Sequence, residues 1–456
     1  MGNFWEFSTW GFFNLVAVLL VSLLVANMLK RSIPFLQASL IPTSVLGGCI
    51  LLVISVTYNT ITGQELFDTA FFGGHGTAWL ELLTYHMLAL GFTASALKTT
   101  GGKMSKERTV EIFNTGLTTV ATYLLQALAG MIICIVAAFF LDDLLEASGL
   151  LLALGYGQGT GQAMNYGNLY EMEYGFVGGK SFGLTVAAMG FLSASIGGVI
   201  YLNILKRKGK IVLDKGTGKL QEEVEGNNEI PMQASIDKFT VQVALIMVAY
   251  LLAYLLMLGL GLLVPGMRST IYGFNFLLGV LAATLLKNTL NFLQKKQIIH
   301  RHYTNNFLLT RATNFFFDIM VTAGIAAIRM SIIGKYWVVL LVLGVVGLVI
   351  TYIYIHFICG KLFPAYKEQQ FLAMFGMLTG TASTGIILLR EIDGDFKTPV
   401  ADNLVYQNFP AMVFGFPILL LATMAPTKPY LTLAIVAVFF VVMNVLLFRS
   451  FIFKKK

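Results

Sequence analysis

Residues 146–170 read EASGLLLALGYGQGTGQAMNYGNLY, and residues 368–390 read EQQFLAMFGMLTGTASTGIILLR. Both are apolar enough to enter a bilayer, yet neither suits an uninterrupted spanning helix. The first carries Gly155, Gly157, Gly159, Gly161 and Gly167 among Gln158, Gln162 and Asn165. The second carries Gly376, Gly380 and Gly385 among Thr379, Thr381, Ser383 and Thr384. Hydrocarbon supplies no hydrogen bonds, so backbone freed by such breaks must lie inside protein or beside a water-filled cavity. Each segment is therefore expected to be a re-entrant hairpin or a broken helix.

The rest of the chain fits that setting. Of 456 residues, 57% are hydrophobic and 12% charged, against roughly 25% charged in a soluble domain. So little polar side chain cannot coat a water-soluble particle. Several stretches of about 20 residues are nearly free of charge, the length that a bilayer-crossing helix needs. An all-α polytopic membrane protein follows, and a soluble enzyme, a secreted disulfide scaffold and a nucleic-acid binder are excluded. Apolar segments fall near 9–29, 34–57, 78–98, 110–140, 146–170, 181–204, 237–264, 270–292, 307–329, 336–359, 368–390, 403–425 and 430–448. No cleavable leader is expected: the first apolar run follows Glu6, lacks a basic start and is long enough to span. Cys49, Cys134 and Cys359 lie in apolar segments without metal-ligand neighbours and read as small hydrophobes.

Basic residues test the topology, because cytoplasmic loops concentrate Lys and Arg. With the N-terminus outside and both broken segments re-entrant, Lys30, Arg31, Lys98, Lys103, Lys106 and Arg108 fall inside. So do Lys206 to Lys208, Lys210, Lys295, Lys296, Arg301, Arg449 and Lys454 to Lys456. Outside loops keep Lys180, Arg268, Arg329, Lys335 and Lys428, and they hold Glu65, Asp68, Asp142 and Asp143. Counting the broken segments as full spans would move half of the basic clusters to the wrong side. A multi-pass membrane protein is expected, with the C-terminus cytoplasmic.

Residues 206–236, rich in Lys, Glu, Gly and Asn, cannot bury a core and read as a flexible cytoplasmic linker. The halves that it separates resemble each other. Gly159-Thr160-Gly161-Gln162-Ala163 in one broken segment corresponds to Gly380-Thr381-Ala382-Ser383-Thr384 in the other. Leu90-Gly91-Phe92-Thr93-Ala94 loosely matches Ala323-Gly324-Ile325-Ala326-Ala327. Each half supplies five transmembrane helices and one hairpin, and an odd number of spans inverts the second copy. The domain reading is a first inverted repeat over 1–205, the linker, a second repeat over 237–429, and an extra C-terminal helix with a basic tail over 430–456. Inverted repeats with broken helices meeting at mid-membrane describe a secondary transporter.

In such a protein, half-helix N-termini favour carboxylates, while exposed carbonyls and hydroxyls suit a hard cation such as Na+. Substrate-binding candidates are Gly159, Thr160, Gly161, Gln162, Thr381, Ser383, Thr384 and Arg390. Arg390 is a candidate for bidentate pairing with a carboxylate, or for pairing at the membrane surface with Glu391 or Asp393. Na+ candidates are Gly157, Asn165, Thr379, Gly380 and Asp318. Asp318 stands out because a carboxylate within a span is costly and functional by default; a buried structural partner of a polar neighbour is the other reading. Glu81 and His86 lie about one helix face apart in the third span, and Glu111 and Arg311 lie near span ends where long side chains snorkel, so none of the four is counted among the site candidates. No His/Glu metal spacing, nucleophile elbow or phosphate-binding loop occurs, so no enzyme activity, ATP coupling or organic cofactor is expected.

The motifs also carry a resemblance. The run Pro34-Phe35-Leu36 … Ile41-Pro42-Thr43-Ser44-Val45-Leu46-Gly47-Gly48 is similar to the Ile-Pro-x-x-Val-x-Gly-Gly element of the bacterial glutamate–sodium symporter family. Gly157-Gln158-Gly159-Thr160-Gly161-Gln162-Ala163, followed by Tyr174-Gly175-Phe176, resembles that family's first hairpin, and Gly376 to Thr384 resembles its second more loosely. The resemblance covers most of both halves. Gln158 stands where the family usually has His, Leu378 to Ala382 is poorer in Gly, and the C-terminal helix is extra. The resemblance implies a homodimeric elevator-type transporter that imports L-glutamate with Na+. Na+ would bind first and order a hairpin, whose bundle moves past a static bundle of the first, second, seventh and eighth spans. A proton-coupled organic-anion carrier using Asp318, and a channel, are the alternatives.

Overall fold

In the computed structural model, which describes residues 3–98, 105–209, 229–232, 236–394 and 397–452, the apolar runs become helices. The long ones are α1 (Phe7–Ser32), α2 (Thr43–Thr62), α3 (Gly76–Leu97) and α4 (Lys106–Ala138). Then come α5 (Leu151–Tyr156), α6 (Gly159–Tyr174), α7 (Gly179–Arg207), α8 (Lys238–Leu263), α9 (Asn275–Lys295) and α10 (Asn306–Ala326). The last are α11 (Trp337–Leu362), α12 (Lys367–Thr379), α13 (Ala382–Arg390), α14 (Val400–Tyr406), α15 (Asn408–Met424) and α16 (Pro429–Leu447). Among the described residues, the only extended pairing is an isolated bridge between Glu229 and His302. Most of the linker (210–228 and 233–235), Lys103 and the basic tail Lys454 to Lys456 lie outside the described residues.

Nine helices among the described residues are long and apolar enough to cross a membrane, or ten if the bent pair α14 and α15 is one span. The protein is thus a polytopic, multi-pass membrane protein. Three boundaries differ from the apolar runs, each for a physical reason. The run over 34–57 begins its long helix only at Thr43, because Pro34 opens a short turn, Leu40 adopts φ 55 and Pro42 has no N–H to continue a helix. The run over 403–425 bends by 47° at Gln407; Pro410 cannot donate to the carbonyl one turn back. The run over 307–329 forms α10, but Arg311, Asn314 and Asp318 leave it outside the set apolar enough to span.

By contacts the chain forms two compact units. One comprises Met1–Ala78, Met104–Lys219 and Gly324–Lys456; the other comprises Trp79–Lys103 and Leu220–Ala323. In the first, Phe371, Leu372, Phe375 and Leu378 of α12 pack with Tyr201 and Leu205 of α7 and Ile355 and Cys359 of α11. In the second, small residues (Ala94, Ala249, Ala283, Ala312) let α3, α8, α9 and α10 approach closely around Leu90, Ile246 and Leu309. At the start of α8, buried Lys238 pairs with Glu229 at 2.7 Å, and Asn305 donates to the same carboxylate at 2.7 Å. This ties the end of the linker to the loop before α10.

Candidate functional site: two opposed hairpin tips

Both broken segments fold back on themselves inside the first unit. Gly130 of α4 abuts Gly149, and the Tyr123 ring about two turns further back abuts Gly157, so the entering arm runs from the C-terminal end of α4 to its middle. The chain then turns and leaves through α6, where Ala163 meets Gly183 and Gly167 meets Gly179 at the start of α7. The second segment enters from the other end of α4. Gln370 donates to Thr115 at 3.4 Å, and about three turns further along α4 Gln126 donates to the Leu378 carbonyl at 2.9 Å. Its return arm, α13, brings Leu388 against Gly198 near the C-terminal end of α7. The hairpins therefore enter from opposite ends of α4 and α7.

Their tips meet. A Cβ on Gly159 would lie 3.5 Å from the Thr381 methyl and 3.7 Å from the Gly380 carbonyl oxygen. Gly159 has φ 81, a left-handed conformation that lets α6 start immediately after α5 ends; any L side chain there costs about 1–2 kcal/mol. Gly190 of α7 forms the floor: a Cβ on it would fall under 3.0 Å from the Thr379 carbonyl oxygen and 3.1 Å from the Tyr156 ring. Phe191 lies 3.0 Å from the corresponding point on Gly380, and Gly324 of α10 leaves room for Thr160, whose Cβ is 2.9 Å away by the same measure. Tyr156 is held by its hydroxyl, which donates to the Gly344 carbonyl at 2.6 Å and bonds Ser193 at 2.9 Å.

At this junction the ends of four half-helices converge. α6 and α13 begin here with first-turn N–H groups that have no partner within their own helix and with the positive ends of their dipoles, and α5 and α12 end here with carbonyls. Thr381 caps α13, its hydroxyl accepting from the Thr384 N–H at 3.5 Å. Two side chains in the first turn of α6 are buried without a partner: the Thr160 hydroxyl and both the nitrogen and oxygen of the Gln162 amide, at 0% and 2% exposure. A buried amide left unpaired on both atoms costs about 1–3 kcal/mol per group.

Among the sequence candidates, the junction gathers Gly157, Gly159, Thr160, Gly161, Gln162, Thr379, Gly380, Thr381 and Thr384. The Thr379 hydroxyl is spent on the Phe375 carbonyl at 2.7 Å, so its contribution is its backbone carbonyl. Asn165 is buried further along α6, and Ser383 is exposed on α13. Arg390 is exposed at the far end of α13, about 13 Å along the helix from Thr381 at 1.5 Å per residue. Asp318 is exposed on the part of α10 that belongs to the second unit. Tyr156, Gly190 and Phe191 were not legible as site residues; Tyr156 precedes the glycine run, but Gly190 and Phe191 carry no local signal. No protein-family description matches this chain, and no curated protein is found as a relative, so the family resemblance rests on the motifs quoted above.

Proposed function

We propose that the chain is a secondary transporter that carries a small carboxylate together with Na+, with L-glutamate as the leading substrate. The observation that carries this reading is the meeting of two hairpin tips beside the unpaired Thr160 hydroxyl and Gln162 amide. A carboxylate seated there takes the first-turn N–H groups of α6 and α13, and the Gln162 amide offers both a donor and an acceptor to the rest of the molecule. Na+ takes hydroxyl and carbonyl oxygens at the ends of α5 and α12. Hairpins entering from opposite ends are what an inverted repeat of 1–205 and 237–429 would produce, with 430–456 as an addition.

In this reading the chain sits in the bacterial cytoplasmic membrane with its N-terminus outside and works as a homodimer. Alternating access comes from an elevator-type movement of the hairpin-bearing bundle. Arg390 stands too far along α13 to hold the carboxylate at the tips and serves at the surface.

The test is uptake of radiolabelled L-glutamate into proteoliposomes under an inward Na+ gradient, a K+ gradient, or a pH gradient alone. Na+-driven accumulation supports the reading. Accumulation that follows the pH gradient and ignores Na+ replaces Na+ by H+ and turns attention to Asp318, and conduction without coupling points to a channel. Thr160→Val combined with Thr381→Val is expected to abolish uptake while membrane expression is kept. Undiminished uptake in that double variant refutes the placement of the site.

A further inference from the structure

A second polar region in the first unit differs in character from the hairpin junction. One face of α4 carries Thr115, Thr119, Thr122 and Gln126, all buried, and it rises from the entry of the second hairpin to the level of the tips. The hydroxyls of Thr115 and Thr122 donate to carbonyls one turn back, at 2.9 and 2.8 Å. The single proton of Thr119 lies between the Thr115 carbonyl (3.1 Å) and the Gln407 amide oxygen (2.9 Å). Gln407 sits at the α14–α15 bend, and its nitrogen donates to Met377 at 3.4 Å and Asn408 at 3.1 Å.

Two of the three glutamines here, Gln126 and Gln370, use their nitrogens and leave their oxygens. Gln370 donates to Thr115, whose own proton is already on Glu111, and Gln370 Oε1 meets no donor. Gln126 donates to both Thr351 and the Leu378 carbonyl at 2.9 Å, and its Oε1 also meets none. Leu378 can only accept, which settles the orientation of that amide. Both side chains are 0% exposed. The tips leave donors and an acceptor unpaired together, whereas this face leaves a surplus of oxygens. Gln370 Oε1 lacks a donor, and the Thr115, Thr119 and Gln407 oxygens beside it keep lone pairs beyond any hydrogen bond they accept; uncharged carbonyl and hydroxyl oxygens of this kind, in a dry setting, suit a monovalent hard cation.

We infer that Gln370 Oε1, Gln407 Oε1 and the hydroxyl oxygens of Thr115 and Thr119 form a binding site for Na+ distinct from the hairpin tips. Gln126 Oε1 is the next oxygen on the route toward the tips, about 10 Å further along α4 from Thr119. The inference rests on the transporter reading for its role, since the site would load or release the coupling ion from the end where the second hairpin enters. Its binding chemistry stands without a substrate.

The experiment measures melting of the purified full chain in detergent against NaCl, with choline chloride at equal ionic strength as reference and no substrate present. The Thr160→Val/Thr381→Val background removes the tip hydroxyls. Na+ is expected to keep raising the melting temperature in that background. Gln370→Met is expected to raise the Na+ concentration for half-maximal stabilisation by roughly 10-fold or more. Gln370→Glu, which adds a charged ligand, is expected to lower it by a similar factor. Opposite shifts in the two variants support the site. A Na+ response that neither variant moves, or no Na+ response in this background, overturns it. Failure of the transporter reading appears elsewhere, as absent carboxylate uptake by a chain that still binds Na+ through Gln370.

Discussion

Gly190→Ala is the sharpest perturbation of the hairpin junction, because it adds one methyl group where two hairpins and α7 share a single point. The new Cβ would lie under 3.0 Å from the Thr379 carbonyl oxygen, with the Tyr156 ring at 3.1 Å. Ordinary contact begins at 3.4 Å, so the last turn of α12 must retreat by roughly 1 Å, because Tyr156 is pinned by Gly344 and Ser193. Overpacking of this kind costs about 1–3 kcal/mol. A shift of about 1 Å at a site that depends on placement costs on the order of 100-fold in rate. The expected result is a chain that reaches the membrane, melts a few degrees lower and takes up substrate about 100-fold more slowly. Gly259→Ala is the control: nothing lies within 4 Å of its Cβ position on α8, and an alanine in a helix interior is worth about 0.5–1 kcal/mol. The assay is initial-rate uptake in proteoliposomes paired with thermal melting of the same preparations. If Gly190→Ala transports and melts as the unaltered chain does, the tips do not meet at α7 and the site reasoning fails.

Gln162→Met should separate stability from function. Removing a buried amide with two unpaired atoms is expected to raise the melting temperature, by the equivalent of about 1–3 kcal/mol, while uptake is lost; a fall in melting temperature would show that Gln162 has a protein partner. Lys238→Ala should leave Glu229 without the ammonium that faces it at 2.7 Å, costing about 3–5 kcal/mol. Replacing both by apolar residues (Lys238→Met with Glu229→Leu) should cost less, and equal melting of the single and double variants would contradict the ion pair as described.

Apolar run length and glycine placement determined the helical, polytopic class and the two interruptions, since these are properties of consecutive residues facing a uniform apolar solvent. Hence the breaks after Tyr156 and Thr379, and the candidacy of Thr160, Gln162 and Thr381, were readable along the chain. Charge marked other positions: Arg390 ends α13, about 13 Å along that helix from Thr381, and Asp318 is exposed on α10. Only the tertiary structure decided which small residues matter. Gly190 and Gly324 look like many of the chain's 45 glycines until Thr379 and Thr160 are seen against them. The unpaired oxygens of Gln126 and Gln370 were likewise invisible beforehand. A hydrogen bond formed or missed between residues more than 200 positions apart depends on where two helices pack, and no local pattern encodes that distance.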